Sequence, residues 1–266
     1  MSPDASWTFS PGILTLLALG TWVYVRRWRR ARAEAGPPGA SGWRLASFGT
    51  GMALTFAALI SPVDRLGEQL FVMHMVQHIL VLDLASILLI LGLTKVILRP
   101  ITRRVQRLEE RAGPLAAPAF ALVLYAGGMI LWHVPAAYDA ALERPAIHAL
   151  EHLTFTSAGL LYWWHLLSPI RNRRRLTGLG PVAYMVVAKV LVGLLGIVLT
   201  FSPDAFYAFY TDQPRFWDMS AVTDQNVGGA LMALEQSLVM GAALVWLFFR
   251  QLGEAERDEL RAERYA

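Results

Sequence analysis

The metal-binding side chains of this 266-residue chain are limited to histidine, methionine and carboxylates, since it contains six His, nine Met and no Cys. Without thiols, disulfide frameworks, thiolate zinc sites, cysteine nucleophiles and cysteine-ligated iron–sulfur clusters are all excluded. Two histidine pairs, His74/His78 and His148/His152, are spaced four residues apart. On a helix that spacing puts both Cβ atoms on one face, about 5–6 Å apart, where two imidazoles can share an ion. Met75 lies one turn before His78, and Met73 flanks the pair. Imidazole with thioether suits Cu(I), whereas imidazole with carboxylate suits Zn(II).

Other segments carry related chemistry. Trp132-His133-Val134-Pro135 ends an apolar stretch at a helix-stopping proline. Asp224-Gln225-Asn226-Val227-Gly228-Gly229 opens another, with Gln225, Gly229, Met232 and Gln236 on one helical face. His148-Ala149-Leu150-Glu151-His152 matches H-x-x-E-H, the inverted zinc-peptidase signature, in which Glu151 would activate water on a zinc ion. This leaves an intramembrane zinc-dependent hydrolase as the alternative to copper handling. The histidine set allows at most one bis-His haem. A retinal-type Schiff base on Lys189 would leave the histidines unexplained.

Elements long enough to place these groups follow from composition. Apolar residues make up 55% and charged residues 17%, with a mean hydropathy of +0.43, whereas a soluble domain carries about 25% charged residues. Seven apolar stretches approach the roughly 20 residues that span a bilayer: 9–25, 45–60, 71–93, 115–133, 147–167, 181–201 and 227–249. The expected fold is an all-α polytopic membrane bundle of about seven helices, one integral membrane domain over 1–266. The 24 Lys and Arg fall on one side of this alternation, Arg65, Arg144, Arg215 and Lys189 excepted. The N-terminus is therefore expected outside, and the charged 250–266 tail in the cytoplasm. The basic balance, with a pI near 9.6, is read as membrane topology with lipid as the contact, and no nucleic acid is implied. The first stretch is expected to stay in the mature protein, since its arginines follow the apolar run. Residues 33–42 read as a flexible connection, and 95–111 as a basic amphipathic surface helix.

This topology gathers His74, His78, His133, His148 and His152 toward the outer ends of their spans, with His165 alone toward the cytoplasm. Asp83, Lys189 and Glu235 fall mid-span, where a charge costs roughly 2.5–3.5 kcal/mol. Lys189 is expected to pair with Asp83 or Glu235. Asp83, nine residues from His74 and so about 180° around an α-helix, is expected to lie outside the histidine cluster.

The chain resembles the CtaG family of bacterial membrane proteins associated with assembly of caa(3)-type cytochrome c oxidase. The resemblance rests on Met75-Val76-Gln77-His78 with Asp83, on Trp132-His133-Val134-Pro135 with Tyr138-Asp139-Ala140-Ala141-Leu142, on His148-x-x-Glu151-His152-Leu153-x-Phe155 with Trp163-Trp164, and on Asp224-Gln225-x-x-Gly228-Gly229-x-x-Met232. These run in order from about residue 71 to 249, while residues 1–60 match only in being hydrophobic. Ala233 departs from the Trp that relatives often place there. The resemblance implies a non-enzymatic assembly factor of the bacterial plasma membrane that handles copper and meets cytochrome c oxidase subunits or copper chaperones. An unrelated family of the same name, which uses a cysteine pair, is excluded. The expected cargo is Cu(I), with zinc as the alternative. Its expected ligands are His74, His78, His148 and His152, with Met75, His133 and Met232 as further candidates and Glu151 and Gln225 orienting the imidazoles.

Overall fold

In the computed structural model, residues 2–170, 174 and 176–265 are described, and among them every regular element is helical. The principal helices are α1 Pro11–Gly39, α2 Gly42–Ile60, α3 Phe71–Leu91, α4 Pro118–Trp132, α5 Pro135–Glu143, α6 Pro145–Leu167, α7 Gly180–Phe201 and α8 Ala221–Tyr265. Proline sets several of the starts. Pro11, Pro118, Pro135, Pro145 and Pro181 occupy the first turns of their helices, where the fixed φ is helical and the missing N–H breaks no intrahelical bond.

The chain is a membrane protein. Helices α2, α3, α7 and the 221–249 part of α8 are each long and apolar enough to cross a bilayer. A fifth candidate is α4 joined to the preceding segment Thr102–Ala116 across a 65° bend. The expected stretches 9–25 and 147–167 fall on α1 and α6, whose apolar runs are diluted by polar side chains. In α6 these include the histidines and Glu151.

Two ends of the bundle can be followed through hydrogen bonds. At one, Thr8 N donates to Ile60 O, Asp64 accepts from Gln77, Tyr210 donates to Gly67 O, and Asp139 accepts from the amides of Ala208 and Phe209. At the other, Tyr24 Oη contacts the carbonyls of Arg44 and Gly92, and its ring stacks on Phe48. The connection at 33–42 departs from the expected flexible coil. Helix α1 runs through it to a kink at Gly36, where φ is 63°. Its far side is tied down by Trp28 to Ser41 O, Arg32 to Ala40 O and Thr94 to Gly39 O. The expected 95–111 helix is divided, with turns at Lys95–Leu98 and Thr102–Ala112 on either side of Pro100.

Two helices contain π-helical turns, at 80–85 in α3 and 123–127 in α4. A π turn bonds i to i+5, so it rotates everything beyond it relative to an α-helical count. Close packing depends on glycine at α6. A Cβ on Gly159 would overlap Leu82 O, inside the π turn of α3.

Candidate metal centre

The first two turns of α3, the end of α4 and the first two turns of α6 meet at one end of the bundle. His74 and His78 come from α3, His133 closes α4, and His148, Glu151 and His152 come from α6. Glu151 is the centre of the group. One of its oxygens, Oε1, lies 3.6 Å from His74 Nε2 and 3.4 Å from His78 Nε2. His148 Nε2 and His152 Nε2 are 2.8 Å apart. Donor atoms of His74, His148 and Glu151 fall within 4.8 Å of one another. The rings of His74 and His152, and of His78 and His152, have centroids 6.3 and 5.7 Å apart.

Burial decides how this cluster is read. His74, His78 and Glu151 are 0%, 2% and 1% exposed, while His148 and His152 are half-buried and lie on the way in. Buried polar atoms are nearly always hydrogen-bonded. Here both nitrogens of His74 and of His78, Nδ1 of His152 and Oε2 of Glu151 have no hydrogen-bond partner. That concentration of unpartnered imidazole nitrogens around one carboxylate makes the group a candidate metal centre. His133 is oriented differently: Nδ1 donates to Met129 O at 2.8 Å, which leaves Nε2 as the acceptor nitrogen, 3.5 Å from Met75 Sδ. Tying down one imidazole nitrogen in this way is how ligating histidines are held.

An aromatic layer packs beside the cluster. Tyr138 lies 5.1 Å from His74 and 4.0 Å from Tyr207, which stacks on Phe71 and donates to His133 O. Tyr138, Tyr207 and Tyr210 were not singled out by type or spacing. Tyr138 entered only as part of the resemblance, and Tyr207 and Tyr210 not at all. Phe71 and Val72 amides, which open α3, donate to the two oxygens of Asp224 at 2.8 and 2.9 Å. Asp224, from α8, thereby caps the helix that carries His74 and His78.

Several expected residues stand elsewhere. Gln225 does not orient an imidazole: it is bonded to the Phe206 amide and Asp204 O, because its helix begins beside that loop. Lys189 does not pair with Asp83 or Glu235. It is exposed, one step around α7 from the buried stripe of Tyr184, Met185, Ala188 and Val192. Asp83 instead takes neutral donors, Tyr125 Oη at 2.8 Å, Trp163 Nε1 at 2.6 Å and Gln236 Nε2 at 3.4 Å. Asp83 stands outside the histidine cluster, as expected, but beyond the π turn it lines the small cavity that His78 and Met75 also line. Met232 and Glu235 line that cavity too, together with Met129, which the sequence reading did not single out.

Comparison with known proteins identifies the family. Residues 22–254 match the family model described as cytochrome c oxidase caa3 assembly factor (Caa3_CtaG). The uncharacterized protein ML1998 of Mycobacterium leprae is 25% identical over 84% of this chain and 36% of its own length. Uncharacterized proteins Mb0105 of Mycobacterium bovis and MT0111 of Mycobacterium tuberculosis are each 25% identical over 89% of this chain and 38% of theirs. The chain thus spans well under half the length of these relatives. No solved structure matches it.

Proposed function

The chain belongs to the cytochrome c oxidase caa3 assembly-factor family, and from that membership we propose that it carries copper for the oxidase at the cluster of His74, His78, His148, His152 and Glu151. The observation that supports an ion at this point is the single oxygen of Glu151 facing two buried imidazoles whose nitrogens lack partners, and the family, rather than this donor set, favours copper over Zn(II). A metal ion at that point satisfies groups that would otherwise cost roughly 1–3 kcal/mol each to leave unpaired. Copper is the cargo, held as Cu(I). It enters past the half-buried His148 and His152, passes to His74 and His78, and leaves by ligand exchange. His133 and Met75 border the path.

The bundle is read as seven spans in the bacterial plasma membrane, with the cluster beneath the extracytoplasmic surface and the 250–266 tail in the cytoplasm. Its partners are oxidase subunits or copper chaperones that receive the ion. The protein carries out no turnover of its own, since holding and releasing an ion requires only ligands of graded strength.

One experiment tests the proposal. A strain lacking the protein is complemented with the native chain or with His78→Ala/His152→Ala, and copper is measured in the purified, reduced chain and in the oxidase. The native chain is expected to hold copper and restore oxidase copper, and the double variant to do neither. Full copper in the double variant would remove the site.

A further inference from the structure

Below the histidine cluster, α3, α4, α7 and α8 enclose a cavity lined by Met75, His78, Met129, Met232, Asp83, Glu235 and Gln236 among others. Its free volume of about 10 Å³ suits one water-sized or ion-sized occupant. The donors around it differ from those above. Three methionines from three helices, each 4% exposed or less, contribute thioethers to its lining. Asp83 and Glu235 also line it and, among the described residues, have no basic partner. Gln236 Nε2 bridges these carboxyls, donating to Glu235 Oε2 at 2.8 Å and to Asp83 Oδ2 at 3.4 Å. Glu235 Oε1 and Gln236 Oε1 are left without partners.

We propose that this cavity is a second metal station, specific for a soft monovalent cation of the Cu(I) class, with Met75, Met129, Met232 and His78 as ligands and Asp83 and Glu235 as its counter-charge. Thioether and imidazole select d¹⁰ monocations over Zn(II), and a buried carboxyl without a basic partner is neutralised either by a proton or by a cation, so a bound cation takes the proton's place. Asp83 lies on one π turn and is held by Tyr125 on the other, which donates to it. His78 faces both Glu151 and this cavity, so it hands the ion from the cluster to the thioethers. The proposal rests on the copper reading of the cluster and adds a deeper step to it.

The full chain, purified in detergent, is titrated with Zn(II), which reads nitrogen and oxygen donors, and with Ag(I), a redox-inert substitute for Cu(I). Silver X-ray absorption is recorded alongside. The native chain is expected to bind both, with sulfur neighbours around silver. Met75→Leu/Met129→Leu/Met232→Leu, a volume-conserving change, is expected to lose one Ag(I) per chain and those sulfur neighbours while keeping Zn(II). Glu235→Gln is expected to weaken Ag(I) about tenfold and leave Zn(II) unchanged. Silver with only nitrogen and oxygen neighbours, or Ag(I) binding unchanged in both variants, overturns the second station while leaving the cluster standing. A native chain that binds neither ion defeats the cluster and, with it, this proposal.

Discussion

Glu151 lies between the two α6 histidines in sequence, yet its oxygen approaches the two α3 histidines in space. That placement makes it a ligand or a direct support for one, and it separates two chemistries. In an H-x-x-E-H hydrolase the glutamate activates water and metal stays when it is replaced. In a carrier, Glu151→Gln removes the charge at the centre of the donor set, and Zn(II) affinity measured by competition is expected to fall about 10- to 100-fold. Retained affinity with loss of a hydrolytic activity would favour the hydrolase. At this scale the sequence was informative about His74, His78, His148 and His152, because i,i+4 spacing is a property of any helix. It passed over Met129, although His133 stands four residues on at helical spacing. It misdirected on Lys189 and Gln225, whose neighbours are set by which face each helix turns inward.

At the scale of helices, the decisive contacts are those without side chains. Gly159 lets α6 approach the π turn of α3 until Leu82 O occupies the place of a Cβ, and four residues on, Trp163 reaches Asp83. Gly193 on α7 has nothing within 4 Å of an added Cβ. An alanine at 193 is therefore expected to be neutral or to add up to about 1 kcal/mol, from helix propensity. An alanine at 159 is expected to cost about 1–3 kcal/mol or more, from overpacking. Thermal unfolding in detergent compares the two, and equal midpoints would show that the α3–α6 approach is not tight. Helix positions were legible in the sequence from apolar runs and prolines. The π turns were not, since a 100° periodicity gives the same reading whether or not one extra residue is inserted. That is why Asp83, although outside the cluster as expected, was not expected to share a cavity with His78 and Met75.

For the whole molecule, charge distribution carries the argument for orientation. The end holding the histidines has Arg65, Arg144 and Arg215, while the segments 26–44 and 95–111 at the opposite end carry twelve Lys and Arg, a bias that sets orientation during insertion. If the cluster faces outward, it can exchange copper with proteins outside the cytoplasm; if inward, only with the cytoplasmic pool. The absence of native cysteine makes the question directly measurable, since a single introduced thiol is the only one present. Ser6, exposed beside the histidine end, and Ser41, on the loop between α1 and α2 at the basic end, are suitable positions. In intact cells a membrane-impermeant maleimide is expected to label Ser6→Cys and spare Ser41→Cys, and lysis should make both reactive. The reverse pattern would turn the bundle over, place the cluster in the cytoplasmic half, and require the oxidase to receive its copper from that side.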